Sequence, residues 1–451
     1  MGTTETLARF VVETPPERIT EPLLHEGKRC LINFLAVALY AARDPSLDLL
    51  LDLFREEGSR PLATVLGTGV RTSLQNAALA NGYLGHLEDY DDTHFPTVIH
   101  PSSPTIPAAL ALGERQGASG REVLAASVLG IEVCCRIGLA VYPAHYDAGW
   151  HITGTCGVFG GTAAAGRILG LETLQLVHAM GIAGTQAAGV REVFGSMAKP
   201  LHPGRAAQSG VLAGLLARKG FTGSTTILEG RRGFPAVASA FYDLDKATAG
   251  LGEDWVLYNN ALKPYSCGVV SHPLIDAMAA LRNREGATPD AVERVTARVH
   301  PLVLELMDRP HPQLGLEGKF SYQHCMAVGF VDGAAFPAQY TDGKVTDPVI
   351  VSLRGKISAT VDPSMAEDAG EVTLTQKDGA SHTETVTHAT GSLKNPMTDG
   401  QLNDKFRNLV GDVLPGKRVE RLLKMLWDLD KAGDIRDLMA LTRTTRRTIR
   451  R

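Results

Sequence analysis

Residues 85–104 read GHLEDYDDTHFPTVIHPSSP. Here Glu88, Asp89, Asp91 and Asp92 stand beside His86, His94 and His100. Carboxylates and imidazoles move protons once burial or a neighbouring charge shifts them into range. The same side chains also ligate divalent metals. A third reading is a capped, solvated turn, because Asp bonds the backbone of turns. The segment contains no HxxxH, HExxH or DDxxD spacing. A metal-dependent hydrolase built on His86, Asp89, Asp92 and His94 is therefore the weaker alternative, and no metal is expected.

Proton abstraction beside a carboxylate needs a base, and it needs cations to stabilise the charge that develops. The chain supplies such groups in three further stretches. They are His151 in YDAGWHITGT, Lys199, His202 and Arg205 in GSMAKPLHPGRAA, and Lys263 in ALKPYSCGVVSHP. Each also has an ordinary explanation. His151 suits a core or helix-start position, and Lys199 and His202 read as a solvated loop between two apolar helices. Arg205 reads as first-turn helix, where a cation opposes the dipole and an anion is welcome. Lys263 falls where the sequence pattern changes, and ligand clefts are common at domain junctions. From residue types alone, the reading is an acid–base enzyme for an anionic substrate.

The elements that must position these groups are mostly helices. Apolar residues recur at three- and four-residue spacing over 17–42, 73–90, 107–117, 120–142, 155–169, 172–187 and 204–219. Ser103 reads as an N-cap, with Pro104 in the first turn. GVFGGTAAAGRILG has small residues over most of its surface, which suits close packing of a central helix. Near residue 260 the pattern changes. Residues 292–300 read as a strand, a helix is expected near 318–332, and 371–388 reads as a hairpin turning at Asp378-Gly379. Helix returns at the end. The fold expected is mainly α with an inserted α+β domain: residues 1–259 and 396–451 helical, 260–395 α+β.

Composition narrows the function classes. The 451 residues are 44% hydrophobic and 21% charged, enough to build a core without disulfides. Net charge is −4, and the one basic run is the terminal RTTRRTIRR, which reads as a solvated tail. Nucleic-acid binding is not expected. The six cysteines are scattered, with no CxxC, as in a reducing, cytoplasmic compartment. No secretory signal and no run of about 20 apolar residues is read, so no membrane partner is expected.

Taken together, GHLEDYDDTH…HPSSP, AGWHITGTCGVFGGTAAAGRILGL, FGSMAKPLHPGRAAQSGVLAGLLARKGFTG, KPYSCGVVSHPLIDA, EGKFSYQHCMAVGF and GSLKNPMTD resemble the MmgE/PrpD family. That family includes 2-methylcitrate dehydratases, cis-aconitate decarboxylases and iminodisuccinate epimerases. The resemblance implies a large helical domain, a smaller α+β lid domain, a cleft between them and a homodimer. It implies chemistry on a small di- or tricarboxylate without metal or organic cofactor. Matched motif by motif, Asp89, His100, His151, Lys199 and Lys263 are the implied catalytic set. Thr93, His202, Arg205, Tyr322 and His324 are the implied substrate-binding set. The family's decarboxylase branch has a His where Gly268 stands and a Tyr where His324 stands. The activity expected is a 2-methylcitrate dehydratase-like lyase; the alternatives are an iminodisuccinate-type epimerase, a cis-aconitate decarboxylase-like lyase or a non-catalytic carboxylate binder.

Overall fold

The structure, a computed structural model, describes residues 2–284 and 287–444. The terminal run after Thr444 lies outside the described residues. The chain divides into two compact units. One comprises the residues up to Leu87, Asp91–Ala261 and those from Asp399 onward; the other comprises Glu88–Tyr90 and Leu262–Thr398.

The first unit is helical. Its central helices are α1 (Glu21–Ala41), α2 (Leu74–Leu87), α3 (Ser102–Gln116), α4 (Gly120–Val141), α5 (Ile152–Leu169) and α6 (Ala198–Arg218). The helix α4 starts on a Ser119–Glu122 capping box, which satisfies two orphan amides reciprocally. Val123, Leu124, Val128, Ile131 and Ile137 are all buried on it. By length and composition α4 is apolar enough to cross a membrane, contrary to the sequence reading, and 94% of its most apolar stretch is buried inside the protein. It also carries a buried ion pair. Arg136 Nε donates to Glu132 Oε1 at 2.6 Å, and Arg136 Nη1 donates to the Ala249 carbonyl at 2.7 Å. Glu132 accepts from the Leu257 amide at 3.0 Å. The pair thus ties residues 249–257 to α4, just ahead of β2 (Asn260–Ala261). This short strand pairs antiparallel with β1 (Thr93–His94), His94 opposite Asn260.

Glycine sets a close helix contact beside the first motif. A Cβ on Gly82 of α2 would stand 2.8 Å from Gly204 Cα of α6, and one on Gly204 would stand 2.5 Å from the Leu79 carbonyl oxygen. The two backbones touch, as they can only where both side chains are absent.

Two helix starts differ from the sequence reading. Because α6 begins at Ala198, Lys199 and His202 lie on its first turns and not in a loop. Arg205 lies beyond the first turn, is exposed, and donates to Gln208. Likewise α3 begins at Ser102, so Ser103 is inside the first turn and is not the N-cap. Pro200 and Pro104 each stand third in their helix, where a missing amide hydrogen costs little.

The second unit holds a four-stranded sheet. Its strands are β3 (Val292–Val299), β4 (Ile357–Val361), β5 (Gly370–Gln376) and β6 (Ser381–Val386), in the order β4-β3-β5-β6. β3 runs parallel to β4 and antiparallel to β5, and the β5–β6 hairpin turns through Gly379 at φ 89°. Alternate residues of β5 are buried, so one face of the sheet is covered. The helices α7 (His272–Arg282) and α8 (Tyr322–Val331) share its apolar core.

His324, on α8, is fully buried. Its Nε2–H donates to the Gln339 carbonyl at 2.8 Å, and Nδ1 has no hydrogen-bond partner among the described residues. Burial, which disfavours the charged ring, lowers its pKa from 6.5 to about 4. The ring is therefore neutral in the fold and takes a proton on unfolding anywhere between those values. Its contribution is present above pH 6.5 and is lost as pH falls toward 4. His324→Gln keeps a donor without the titration. The stability difference between pH 7 and pH 4.5, measured by denaturant unfolding, is expected to shrink by about 2.5 kcal/mol in that variant.

Candidate active site

The first motif does not form a solvated turn. Its histidines and two of its aspartates are gathered in the first unit, and most are buried. His86 sits in the last turn of α2. Its Nδ1 lies 2.9 and 3.1 Å from the two Asp91 carboxylate oxygens. A carboxylate accepts, so Nδ1 carries the hydrogen and Nε2 is the basic nitrogen. That Nε2 is buried and has no hydrogen-bond partner among the described residues. Asp91 also accepts from Ser103 Oγ at 2.7 Å.

His100 approaches the same carboxylate, with Nδ1 3.6 Å from Asp91 Oδ1. The His100 Nδ1–H donates to the Asp92 carbonyl at 2.8 Å, and Thr93 Oγ1 is 3.3 Å away. The His100 backbone amide donates to Thr153 Oγ1 at 3.1 Å. Asp92 itself accepts from Ser102 Oγ at 2.5 Å and from Asn260 Nδ2 at 2.6 Å. Burial raises its pKa to about 6, against the lowering effect of Ser102. Two buried acids therefore play different parts. Asp92 anchors the loop to α3 and β2, and Asp91 faces the imidazoles.

His151 is the N-cap residue of α5, and its amide donates to the Gly189 carbonyl at 3.0 Å. Its Nδ1 is 2.9 Å from His202 Nδ1, so one of these nitrogens donates and the other accepts. The rings form a continuous group. Centroid separations are 4.8 Å for His100–His86, 5.4 Å for His86–His151 and 5.2 Å for His151–His202. Phe194 packs edge-on to His151 at 5.0 Å, and Lys199 Nζ lies 5.1 Å over the Phe194 ring. Burial pushes the His151 pKa well below the ordinary histidine value, and His86, Lys199, His202 and His100 push it the same way. His202 is lowered too, first by burial and then by His86 and Lys199. At neutral pH His151 is thus a neutral imidazole, able to accept a proton.

The second unit holds the other sequence-predicted residues. Lys263 Nζ donates to the Asp89 carbonyl at 2.8 Å and lies 3.5 Å from Asp89 Oδ2. Lys319 makes the matching contacts one residue earlier, at 2.7 Å to the Glu88 carbonyl and 2.6 Å to its carboxylate. Asp89 adopts φ 52°, a left-handed conformation that Asp tolerates better than most residues and that two lysine clamps hold in place. Tyr322 and His324 are both buried in this unit's core. At Gly268, Met307 fills the space that a side chain would need: a Cβ there would stand 2.4 Å from Met307 Sδ.

The sequence alone places His86 and Asp92 only in the metal alternative, Asp91 in a turn and Ser103 at an N-cap, and it does not single out Ser102 or Thr153. One signal pointed to them, the run of acids at the C-terminal end of a helix, which the helix dipole disfavours.

The MmgE/PrpD N-terminal domain matches residues 5–246, and the MmgE/PrpD C-terminal domain matches 265–431. The chain is 27% identical to a cis-aconitate decarboxylase of Aspergillus terreus, across 98% of this chain and 96% of the relative. It is 27% identical to the cis-aconitate decarboxylase of Mus musculus, across 98% and 92%. Similarity to the 2-methylcitrate dehydratase of Escherichia coli is 28%, confined to 33% of this chain and 32% of that protein.

Proposed function

As the chain belongs to the MmgE/PrpD family, we propose that it is a lyase that releases CO₂ from a small unsaturated tricarboxylate of the cis-aconitate class. This replaces the dehydratase first expected from the sequence. Similarity to decarboxylases runs nearly end to end, whereas the Escherichia coli dehydratase match covers a third of the chain. The observation that carries the reading is the buried imidazole group around Asp91, with His151 held neutral.

The chemistry follows from that group. Cleavage of the C–CO₂ bond leaves its electron pair on carbon, delocalised toward the remaining carboxylates. That carbon then takes a proton, which His100 or His86 delivers. Both rings lie beside the Asp91 carboxylate, His86 Nδ1 at 2.9 Å and His100 Nδ1 at 3.6 Å. Lys199 and Lys263 are assigned to the substrate's carboxylates, where a charge-assisted contact is strongest once desolvated. Asp89 and Thr93 are assigned to orientation. These four assignments rest on the motif match.

The test is incubation of the protein with cis-aconitate, citrate and 2-methylcitrate in deuterated water. CO₂ release from cis-aconitate, with one deuteron in the product, is expected. Interconversion of 2-methylcitrate and its dehydrated form without CO₂ would favour the dehydratase. No turnover with ligand-dependent thermal stabilisation would point to a binding protein.

A further inference from the structure

Decarboxylation leaves a proton deficit. Each turnover breaks one C–C bond, leaves the pair on carbon and consumes one proton from solvent. His86 and Asp91 are only 1% and 0% exposed. Buried donors of this kind need a route by which the proton returns.

The histidines lie in a row between solvent and the buried acid. His202, on α6, is half-buried. Its Nδ1 meets His151 Nδ1 at 2.9 Å, the His151 ring neighbours His86 at 5.4 Å, and His86 Nδ1 rests on Asp91 at 2.9 Å. Gly189 leaves room for the outermost ring. Its φ is 127°, and a Cβ there would stand 2.8 Å from His202 Nδ1.

We infer that His202, His151 and His86 form a proton-entry row that recharges the His86–Asp91 pair from solvent, and that His202 is a relay residue and not a substrate ligand. In the His202–His151 bond one nitrogen donates and the other accepts. A proton that passes inward reverses those roles without moving either ring. Between His151 and His86 the gap is closed by ring reorientation or by one water. Since burial and the surrounding charges keep His151 neutral, it passes the proton on and does not hold it. His86 receives the proton beside a carboxylate. Within the first unit, the titratable groups that face the row are Asp91 and His100 beside His86, and Lys199 beside His151 and His202.

The need for a proton rests on the reaction proposed above; the geometry of the row does not. The experiment therefore has two independent readouts on the full chain, in the wild type, His202→Gln and His202→Ala. The first is solvent exchange of the His86 imidazole hydrogen, followed by nitrogen-15 NMR without substrate. It is expected to slow by about tenfold or more in both variants, with folding checked by thermal melting. The second is turnover of cis-aconitate. The expected result is a fall in kcat of about tenfold or more at little change in KM, steepest at high pH, with partial rescue of His202→Ala by added imidazole. Unchanged exchange in a folded variant overturns the row whatever the activity. A raised KM at constant kcat, without rescue, returns His202 to substrate binding and overturns the relay. Slowed exchange in a protein whose wild type is inert on cis-aconitate keeps the row and removes the proposed reaction instead.

Discussion

His151→Gln is expected to lower kcat on the substrate acid by about 10²–10⁴-fold while KM changes far less. The glutamine retains the N-cap position of α5 and a polar chain that can meet His202 Nδ1, so the local fold survives. It cannot accept a proton. His151 is the ring in contact with both His86 and His202, and it also packs on Phe194 beneath Lys199. Removing the imidazole interrupts proton movement at its centre and leaves the carboxylate-binding groups in place. Steady-state kinetics with a thermal melt separates this result from misfolding, and equal loss of kcat and kcat/KM is the signature expected. A variant that keeps wild-type kcat would place the essential proton chemistry elsewhere.

The second large effect is on stability. Arg136→Met is expected to destabilise the fold by about 3–5 kcal/mol, since it leaves Glu132 charged and buried without its partner. Burial raises the Glu132 pKa, and the Arg136 guanidinium opposes that shift. The variant also leaves the Ala249 carbonyl without its donor. The double variant Glu132→Gln/Arg136→Met is expected to recover part of the loss, because the uncompensated charge is gone while Gln still accepts from the amides near Leu257. Denaturant unfolding of both variants measures the difference. Activity should fall with stability, because the segment clamped by this pair leads directly to Asn260, which holds Asp92 and pairs with His94.

How far the residues alone reveal this molecule depends on the range of the interaction involved. The helix α4 is legible because Val123, Leu124, Val128 and Ile131 repeat at its period and Ser119–Glu122 caps it. The β5–β6 hairpin is legible from Asp378-Gly379 between alternating segments. The strand β4 carries no such signal. Ile357–Val361 is short and mostly exposed, and its parallel partner lies across a long connection. At the site, His100 and His151 were reached through motif resemblance. The His86–Asp91 pair was not, because it joins a helix end to a turn, where no period applies. Lys199 and His202 stand out by type, but their segment reads as a loop, and α6 starts ahead of both.

The contact between Gly82 and Gly204 limits how this site can be altered. His86 lies about one helical turn beyond Gly82, and His202 is two residues before Gly204. The two imidazoles are thus mounted on helices that meet where neither has a side chain. Ordinary core substitutions retune a spacing by adding or removing a methylene. Here there is nothing to trim, and the smallest addition drives a Cβ into backbone. The spacing of the helices that carry His86 and His202 is thus fixed by backbone, so a change of substrate falls to residues away from this contact.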